Sequence, residues 1–447
     1  MTQNWTAPIP SDFFPNGCRG WIASRPGHWS VHRLKYVASI NDEALADNHD
    51  PTVEIQYVDI GSVSYQRGIQ EHQDFVFEDA PSRARRIVRD GDVLVSTVRT
   101  YLRAIAAIAD PPENLVASTG FAVVRPRRID PGFLAYALSC PEFVEEIVSR
   151  SVGVSYPATN ASEIADIPVP TPPREEQRAI AGFLDRETAR IDALIAKKRR
   201  LIELLDEKRT ALITRAVTKG LDPDAPMRDS GIEWLGEIPA HWVVRKVKHS
   251  VPKVTVGIVV NPSSYYVDDG VPCPRSLNVS TGKIRRENMV YISDEANELH
   301  AKSKIFEGDI VIVRTGKTGT AAIVPEWLDG CNCIDLVIVR KGTSISPEYL
   351  WYVLTSSIAT LQAEQNSVGT IQAHFNVTTV GDSKYPFPPS KEQQSIVSFL
   401  AKEEARYDRI RYKVESAIDR LAEYRTALIS AAVTGKINVA ERTKPAS

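Results

Sequence analysis

Apolar positions along the chain follow two periods. From Ile180 they recur at roughly heptad spacing, at Ile180, Leu184, Ile191, Leu194, Leu201, Leu205 and Leu212, with charged residues between them. Pro172-Pro173 is tolerated in a first helical turn, neither proline nor glycine interrupts Asp185 to Lys219, and Gly220 is a terminator. The pattern predicts a helix of about 44 residues, a rod of roughly 65 Å. Ile396, Leu400, Tyr407, Ile410, Ile418, Leu421 and Leu428 predict a second one. An apolar seam on such a rod demands a partner helix, and each copy is the nearest candidate for the other. Elsewhere the runs are short and strand-like: Val53 to Ile60, Asp92 to Val98, Phe121 to Pro126, Asp309 to Val313 and Asp335 to Val339. Each strand-rich block closes with a helical stretch, Pro131 to Arg150 and Ser346 to Glu364, which makes it a mixed α/β domain.

The chain is written twice. PPREEQRAIAGFLDRETARID from Pro172 and PPSKEQQSIVSFLAKEEARYD from Pro388 are offset by 216 residues. The match continues ungapped through Glu207–Thr218 and Glu423–Thr434. Upstream it is weaker: SVGVSYPATN (Ser151–Asn160) faces SVGTIQAHFN (Ser367–Asn376), RDGDVLVSTVR faces FEGDIVIVRTG, and PGHW (Pro26–Trp29) faces PAHW (Pro239–Trp242). So long a period marks tandem duplication of a whole unit rather than a solenoid. The fold class is α/β: two mixed α/β domains with two long helices. The expected boundaries are 1–171 and 223–387 for the domains, 172–222 for the central helical spacer, and 388–447 for the distal helix and tail. Ala216 to Trp242, rich in Gly, Pro and Asp, is the connector into the second domain.

At 447 residues, 43% hydrophobic and 25% charged, the composition is that of a soluble globular protein. A net charge of -2 argues against an isolated polycationic module, although local basic stripes outweigh totals in nucleic-acid binding. Five cysteines, with Cys331 and Cys333 in a C-x-C, point to free thiols in a reducing cytosol rather than a metal or disulfide set. The first residues, MTQNWTAPIPSDFF, lack the pattern of a signal peptide, and no apolar run approaches the ~18 residues of a membrane span. The expectation is a cytoplasmic protein without membrane contact.

Two motifs invite a catalytic reading. VRTGKTGT (Val313–Thr320) leaves a strand like a phosphate-binding loop, but Val311 stands where the first glycine of G-x4-G-K-[ST] is required. DPPE (Asp110–Glu113) resembles the tetrapeptide of adenine methyltransferases, but Glu113 replaces the aromatic that stacks a flipped base, which leaves a turn. The eight histidines are scattered, with His28 and His241 in matched positions beside Trp29 and Trp242. No catalytic site and no cofactor are expected on this chain.

The paired helical motifs, each followed by a long helix ending in RTALI, together with SGIEWLGEIPAHW (Ser230–Trp242), resemble the specificity subunit of type I restriction-modification systems. The resemblance covers nearly the whole chain; the first entry segment, GWIASRPGHW (Gly20–Trp29), departs from the pattern and keeps its end. It implies two target-recognition domains, each reading one half of a split, asymmetric double-stranded DNA site. It also implies two long antiparallel helices holding the domains at a fixed separation, in a pseudo-twofold particle. The partners it implies are two methyltransferase subunits, which methylate adenine with S-adenosylmethionine, and restriction subunits, which add ATP-driven translocation and cleavage; the subunit itself does no chemistry.

Three loops per domain are expected to meet DNA. In the first domain they carry Ser62, Tyr65, Gln66 and Arg67; Thr97, Arg99, Tyr101 and Arg103; and Ser155, Tyr156 and Asn160. In the second they carry Arg275, Ser276 and Asn278; Arg314, Thr315, Lys317 and Thr318; and Thr370, Gln372, His374 and Asn376. Asn and Gln suit adenine, Arg suits guanine, and Arg and Lys neutralise phosphates. Against this stands an excess of acidic over basic residues in Gly27 to Thr171, which weakens DNA binding by that block alone. Competing readings are a catalytic nucleic-acid enzyme, for which a motif is lacking, and a coiled-coil scaffold that binds proteins. The scaffold reading does not explain why the helices stay alike while the globular blocks diverge.

Overall fold

The computed structural model describes residue 22 and residues 25–65, 68–153, 156–365 and 375–439. The chain divides into two compact units, Met1–Lys198 with Ser416–Ser447, and Arg199–Glu415. Each unit therefore holds one mixed α/β domain, part of the first long helix (Arg174–Lys219) and part of the second (Ser390–Val433).

The centre of each domain is a four-stranded sheet of the same order. In the first unit Ala38–Ile40, Phe121–Pro126, Val93–Ser96 and Ile105–Ala107 lie side by side. In the second the row is Val254–Val256, Leu336–Val339, Ile310–Val313 and Ala321–Ile323. All pairs in both sheets are antiparallel. The strands Val93–Ser96, Ile310–Val313 and Leu336–Val339 are buried along their whole length, which explains their unbroken apolar runs. The Gly-Asp pair at the head of the matched strand serves the same purpose in both copies. Gly91 and Gly308 take φ of +78° and +83°, a turn glycine makes without steric cost. The following carboxylate turns inward: Asp92 accepts from Arg125 Nε at 2.9 Å and from the Arg89 backbone N–H at 2.8 Å. Asp309 accepts from Arg340 Nη1 at 2.5 Å and from the Lys341 backbone N–H at 2.9 Å.

The helical stretch after each sheet is two helices rather than one. It breaks at Cys140 between Pro131–Ser139 and Pro141–Ser149, because Pro141 cannot continue the preceding helix but opens the next. The counterpart breaks at Ser356, between Pro347–Thr355 and Ser357–Gln365.

Within the first unit, Leu184, Thr188, Ile191 and Ile195 form the buried row of the first long helix, and its cluster also holds Leu428, Ile429, Ala432 and Val433 of the second. Within the second unit, Leu212, Ile213 and Ala216 share a cluster with Ile396 and Leu400. In the first helix the seam differs from the expected one by a residue: Leu194 and Leu201 are exposed and Ile195 is buried. In the second, Ile410 is exposed and Val414, four residues on, is buried. Steps of strictly four and three residues from Leu184 lead to Ile195, and leucine content alone had pointed one position off. Ion pairs fix the register: Asp192 with Arg425 at 3.0 Å in the first unit, and Asp206 with Arg411 at 2.9 Å and Arg209 with Glu404 in the second. In the second unit the partner number falls from 411 to 404 as the first helix advances from 206 to 209, so the two segments run antiparallel there.

Asp309→Ala leaves the largely buried Arg340 guanidinium without its counter-ion, whereas Asp92→Ala removes the buried partner of Arg125 and leaves it Glu43 alone. Asp309→Ala is expected to destabilise its unit by roughly 3–5 kcal/mol, and Asp92→Ala its own unit by less. Urea denaturation followed by circular dichroism checks this: an earlier transition for each variant is expected, against an unshifted one for exposed-charge controls such as Arg178→Ala.

Candidate nucleic-acid interface

The start of each long helix is fastened to its domain by the same residues. Glu176 accepts from Trp29 Nε1 at 2.9 Å through one oxygen and meets His28 Nε2 at 2.9 Å through the other. Glu392 does the same with Trp242 at 2.8 Å and His241 at 2.7 Å. One residue on, the Gln177 side chain accepts from the Asp130 backbone N–H at 2.7 Å and donates to the Pro172 carbonyl at 2.7 Å. Gln393 repeats this with Ser346 and Pro388 at 3.0 and 2.9 Å. Asp130 and Ser346 are the N-caps of the helices that follow the sheets, so one glutamine ties two helix starts together. The glycines that end the long helices, Gly220 and Gly435 at φ of +73° and +72°, pack on Trp242 and Trp29 respectively.

On this frame the strand-exit loops differ. In the first domain, Thr97 is buried and donates through Oγ1 to the Gly120 carbonyl at 2.8 Å, while its own carbonyl accepts from Thr159 N–H at 2.8 Å. A 3-10 turn, Thr100–Leu102, follows, with Arg99 and Arg103 at φ of +50° and +54° on either side. Two non-glycine residues in the left-handed region mark a turn shaped by its surroundings, each at a cost of about 1–2 kcal/mol. Thr100 is the inward anchor: it is buried, and its Oγ1 lies 2.7 Å from Ser151 Oγ. Tyr101 and Leu102 face outward, 54% and 46% exposed. The Arg99 guanidinium lies 4.9 Å over the ring of exposed Tyr156, and that of Arg103 lies 5.8 Å over Tyr65.

In the second domain the matching loop is held by Asp335, itself at φ +51°. Arg314 Nη1 donates to it at 2.7 Å and Thr315 Oγ1 at 3.1 Å. Thr318 Oγ1 turns back to the Gly316 carbonyl at 3.3 Å. Lys317 is exposed and lines a groove of about 760 Å³ together with Lys283 and Arg285. Val311 lies fully buried in the strand, as expected of a sequence that does not form a phosphate-binding loop.

Several residues expected to read DNA instead brace the loops. Ser62 is buried and bonded to Asp59 Oδ1 through its N–H and hydroxyl at 3.0 and 3.1 Å. Tyr65 is anchored through its hydroxyl to the Ser139 carbonyl at 2.8 Å, and burial pushes that hydroxyl up to about 12. Asn160 and Asn376 cap short helices, accepting from Glu163 and Thr379 N–H at 2.9 and 2.8 Å. Asn278 is fully buried; its Oδ1 accepts from Arg275 N–H at 3.1 Å and its Nδ2 donates to the Glu287 carbonyl at 3.0 Å. Asn and Ser are frequent in such loops because their side chains replace missing backbone partners, and sequence type alone does not separate that use from base contact. Arg275 has its Nε buried without a hydrogen-bond partner among the described residues, and Ser276 opens the 3-10 turn Ser276–Asn278. Gln66, Arg67, Ser155, Thr370, Gln372 and His374 lie outside the described residues. The exposed set is thus Arg99, Tyr101, Arg103, Tyr156 and Asn160 in the first domain, and Thr315, Lys317 and Asn376 in the second, with the two asparagines already engaged as helix caps. Sequence reading missed Leu102, Lys283, Arg285 and Leu277, the last 76% exposed; the basic run Lys283 to Arg286 was the available signal.

Among the described residues no group of three His, Cys, Asp or Glu side chains is arranged to hold a metal, and no helix is long and apolar enough to cross a membrane. Cys140, Cys273, Cys331 and Cys333 are buried free thiols, and burial pushes Cys273 up to about 12. DPPE leads into a turn, Pro112–Leu115, closed by the Leu115 N–H on the Pro112 carbonyl at 3.1 Å.

The family model for the type I restriction modification DNA specificity domain matches residues 26–204 and 278–415. The MjaVIII specificity subunit of Methanocaldococcus jannaschii is 25% identical over 334 residues, 73% of this chain and 75% of its own length. The EcoBI specificity subunit of Escherichia coli is 24% identical over 328 residues, 70% of this chain and 67% of its own length. A chain solved in a study of complex assembly and conformational transition of the type I R-M system has a TM-score of 0.70 at 21% identity, covering 92% of this chain and 99% of its own. That likeness is one of fold.

Asn278→Ala strips a buried loop of its braces and is expected to lower stability by about 1–3 kcal/mol. Lys317→Ala, on the surface, is expected to stay within about 0.5 kcal/mol of the parent. Thermal unfolding of the two variants side by side makes the comparison, and equal effects would show that Asn278 is not a brace.

Proposed function

We propose, because the chain belongs to the type I restriction modification DNA specificity family, that its two domains read the two halves of a split, asymmetric DNA site. The observation that carries this reading is the contrast between matched braces and unmatched loops. Glu176 and Glu392, Gln177 and Gln393, Asp92 and Asp309, and Gly220 and Gly435 do the same work in both copies. The loops beside them present Arg99, Tyr101 and Arg103 in one copy and Thr315 and Lys317 in the other. A constant frame carrying different exposed groups suits two readers of different sequence. A scaffold that binds proteins alone gives no reason for loops to differ while their supports stay alike.

In this reading the chain has no chemistry of its own. Two methyltransferase subunits dock on it and methylate adenine N6 from S-adenosylmethionine, and restriction subunits bring ATP-driven cleavage. Exposed Arg and Lys meet phosphates or guanine edges and Tyr101 and Tyr156 offer ring faces and hydroxyls. The acidic excess of the first domain makes free binding weak at physiological salt, so the partners complete the grip on DNA there.

Long-read mapping of N6-methyladenine, with and without this chain beside its companion methyltransferase, tests the proposal. A split motif that depends on the chain is the expected result; an assembled complex with no new motif would overturn it in favour of the scaffold. Arg103→Ala is expected to weaken binding of the mapped site and to reduce the slope of log affinity against log salt by about 1. Lys317→Ala is expected to weaken one half-site only; equal weakening at both would make Lys317 a general phosphate clamp.

A further inference from the structure

Two leucines stand out because they are exposed, apolar and unable to withdraw. Leu102 lies beside exposed Tyr101 on the turn Thr100–Leu102, and Leu277 lies on the turn Ser276–Asn278. The first turn is pinned by Thr100 against Ser151 and by left-handed residues at both ends. The second is pinned by Asn278, fully buried and bonded to the backbone of Arg275, Arg285 and Glu287. A flexible loop would fold such side chains back onto the domain; these turns hold them out.

The charges around the tips say what they meet. Arg99 and Arg103 bracket the first turn. Beside the second turn stands exposed Arg285, whose N–H donates to the Asn278 carbonyl at 2.8 Å; Arg275, which precedes it, has its Nε buried. An exposed apolar residue on a turn flanked by exposed arginines is a poor match for an apolar groove on a protein. It matches a duplex, where phosphates flank an apolar stack of bases. Proteins that bend DNA commonly push a leucine or similar side chain between two base pairs in this way.

We propose that Tyr101–Leu102 and Leu277 are wedges, each of which enters a base step of its half-site and unstacks it. The inference rests on the DNA-reading function above and adds a deformation of the duplex to it. The two wedges sit on different loops. The position of Leu102 in the second copy falls in the Arg314–Thr318 loop, which carries no large apolar residue. The two half-sites are therefore opened by different tips, and sequence preference arises partly from how readily each step unstacks.

The test uses the full chain assembled with its methyltransferase partner and a duplex bearing the methylation-mapped site. 2-Aminopurine replaces each half-site base in turn, except the methylated adenines, so that a flipped target base does not contribute. Fluorescence is expected to rise at one step in each half-site. Leu102→Ala should abolish the rise in the first half-site and weaken binding about tenfold, roughly the loss of one buried leucine side chain. Leu277→Ala should do so in the second, and Leu102→Met should retain the signal. If selective binding persists while the rise and the affinity survive both alanine variants, the wedge is wrong and the reading function stands. If the wild-type complex shows no sequence preference, both fall. If Leu102→Ala or Leu277→Ala prevents assembly, seen by gel filtration, the leucine is a protein-docking residue and the proposal is overturned.

Discussion

A loop can select a sequence only if its position is fixed against something rigid, and in both units that constraint is met at the first turn of a long helix. Glu176 and Glu392 each use both carboxylate oxygens, one for a tryptophan N–H and one for a histidine ring. The N-terminal turn suits the negative charge, because unpaired backbone N–H groups gather there. The same tryptophans cover the glycines that end the long helices, Gly220 under Trp242 and Gly435 near Trp29. One small set of side chains thus sets the entry of the domain, the start of one helix and the end of the other. Hydrophobic burial holds each unit together, but these directed bonds fix its geometry.

The seam between helix segments shows the same division of labour. Apolar rows around Leu184 and Leu400 supply non-directional cohesion, which tolerates sliding by a turn. Asp192 with Arg425, and Asp206 with Arg411, do not, since a slip separates each charge from its partner. These pairs are partly exposed, so each is worth little as stability. Their effect is on register, where polar residues in helix seams are best attested. A register error there would shift the end of one helix against the start of the other.

Much of the frame was legible in the sequence because it is written twice. The offset of 216 residues exposed the helices, and the Gly-Asp and Pro-x-His-Trp pairs marked positions with matched roles. What those roles were was not legible: the bonds from Trp29 to Glu176 and from Asp130 to Gln177 join residues far apart in the chain, and only folding brings them together. The seam was misplaced by one residue because exposed Leu194 and Leu201 look as apolar as buried Ile195. The loops were the least legible. Asn160, Asn278 and Asn376 have the right chemistry for adenine, yet the first and last cap helices and the second holds a buried turn. A side chain that can satisfy a base edge can equally satisfy a backbone amide, and local geometry decides between them.

That ambiguity has a physical consequence for how such a domain diverges. A loop with a new exposed residue must keep its shape, so the bracing positions and the reading positions cannot vary in the same way. In the first domain Thr97, Thr100 and Ser62 turn inward, while Arg99, Tyr101 and Arg103 beside them are free to change without unpairing a buried group. In the second, Asp335 and Asn278 take over the bracing with different chemistry, and Lys317 is left outside. Inward anchors such as Thr97 and Thr100 flank the outward residues of the first turn, and Asn278 directly follows the outward Leu277 of the second. Outward substitutions can therefore accumulate singly, each within the small range typical of surface changes, whereas a change of brace rebuilds the loop and carries every neighbouring contact with it.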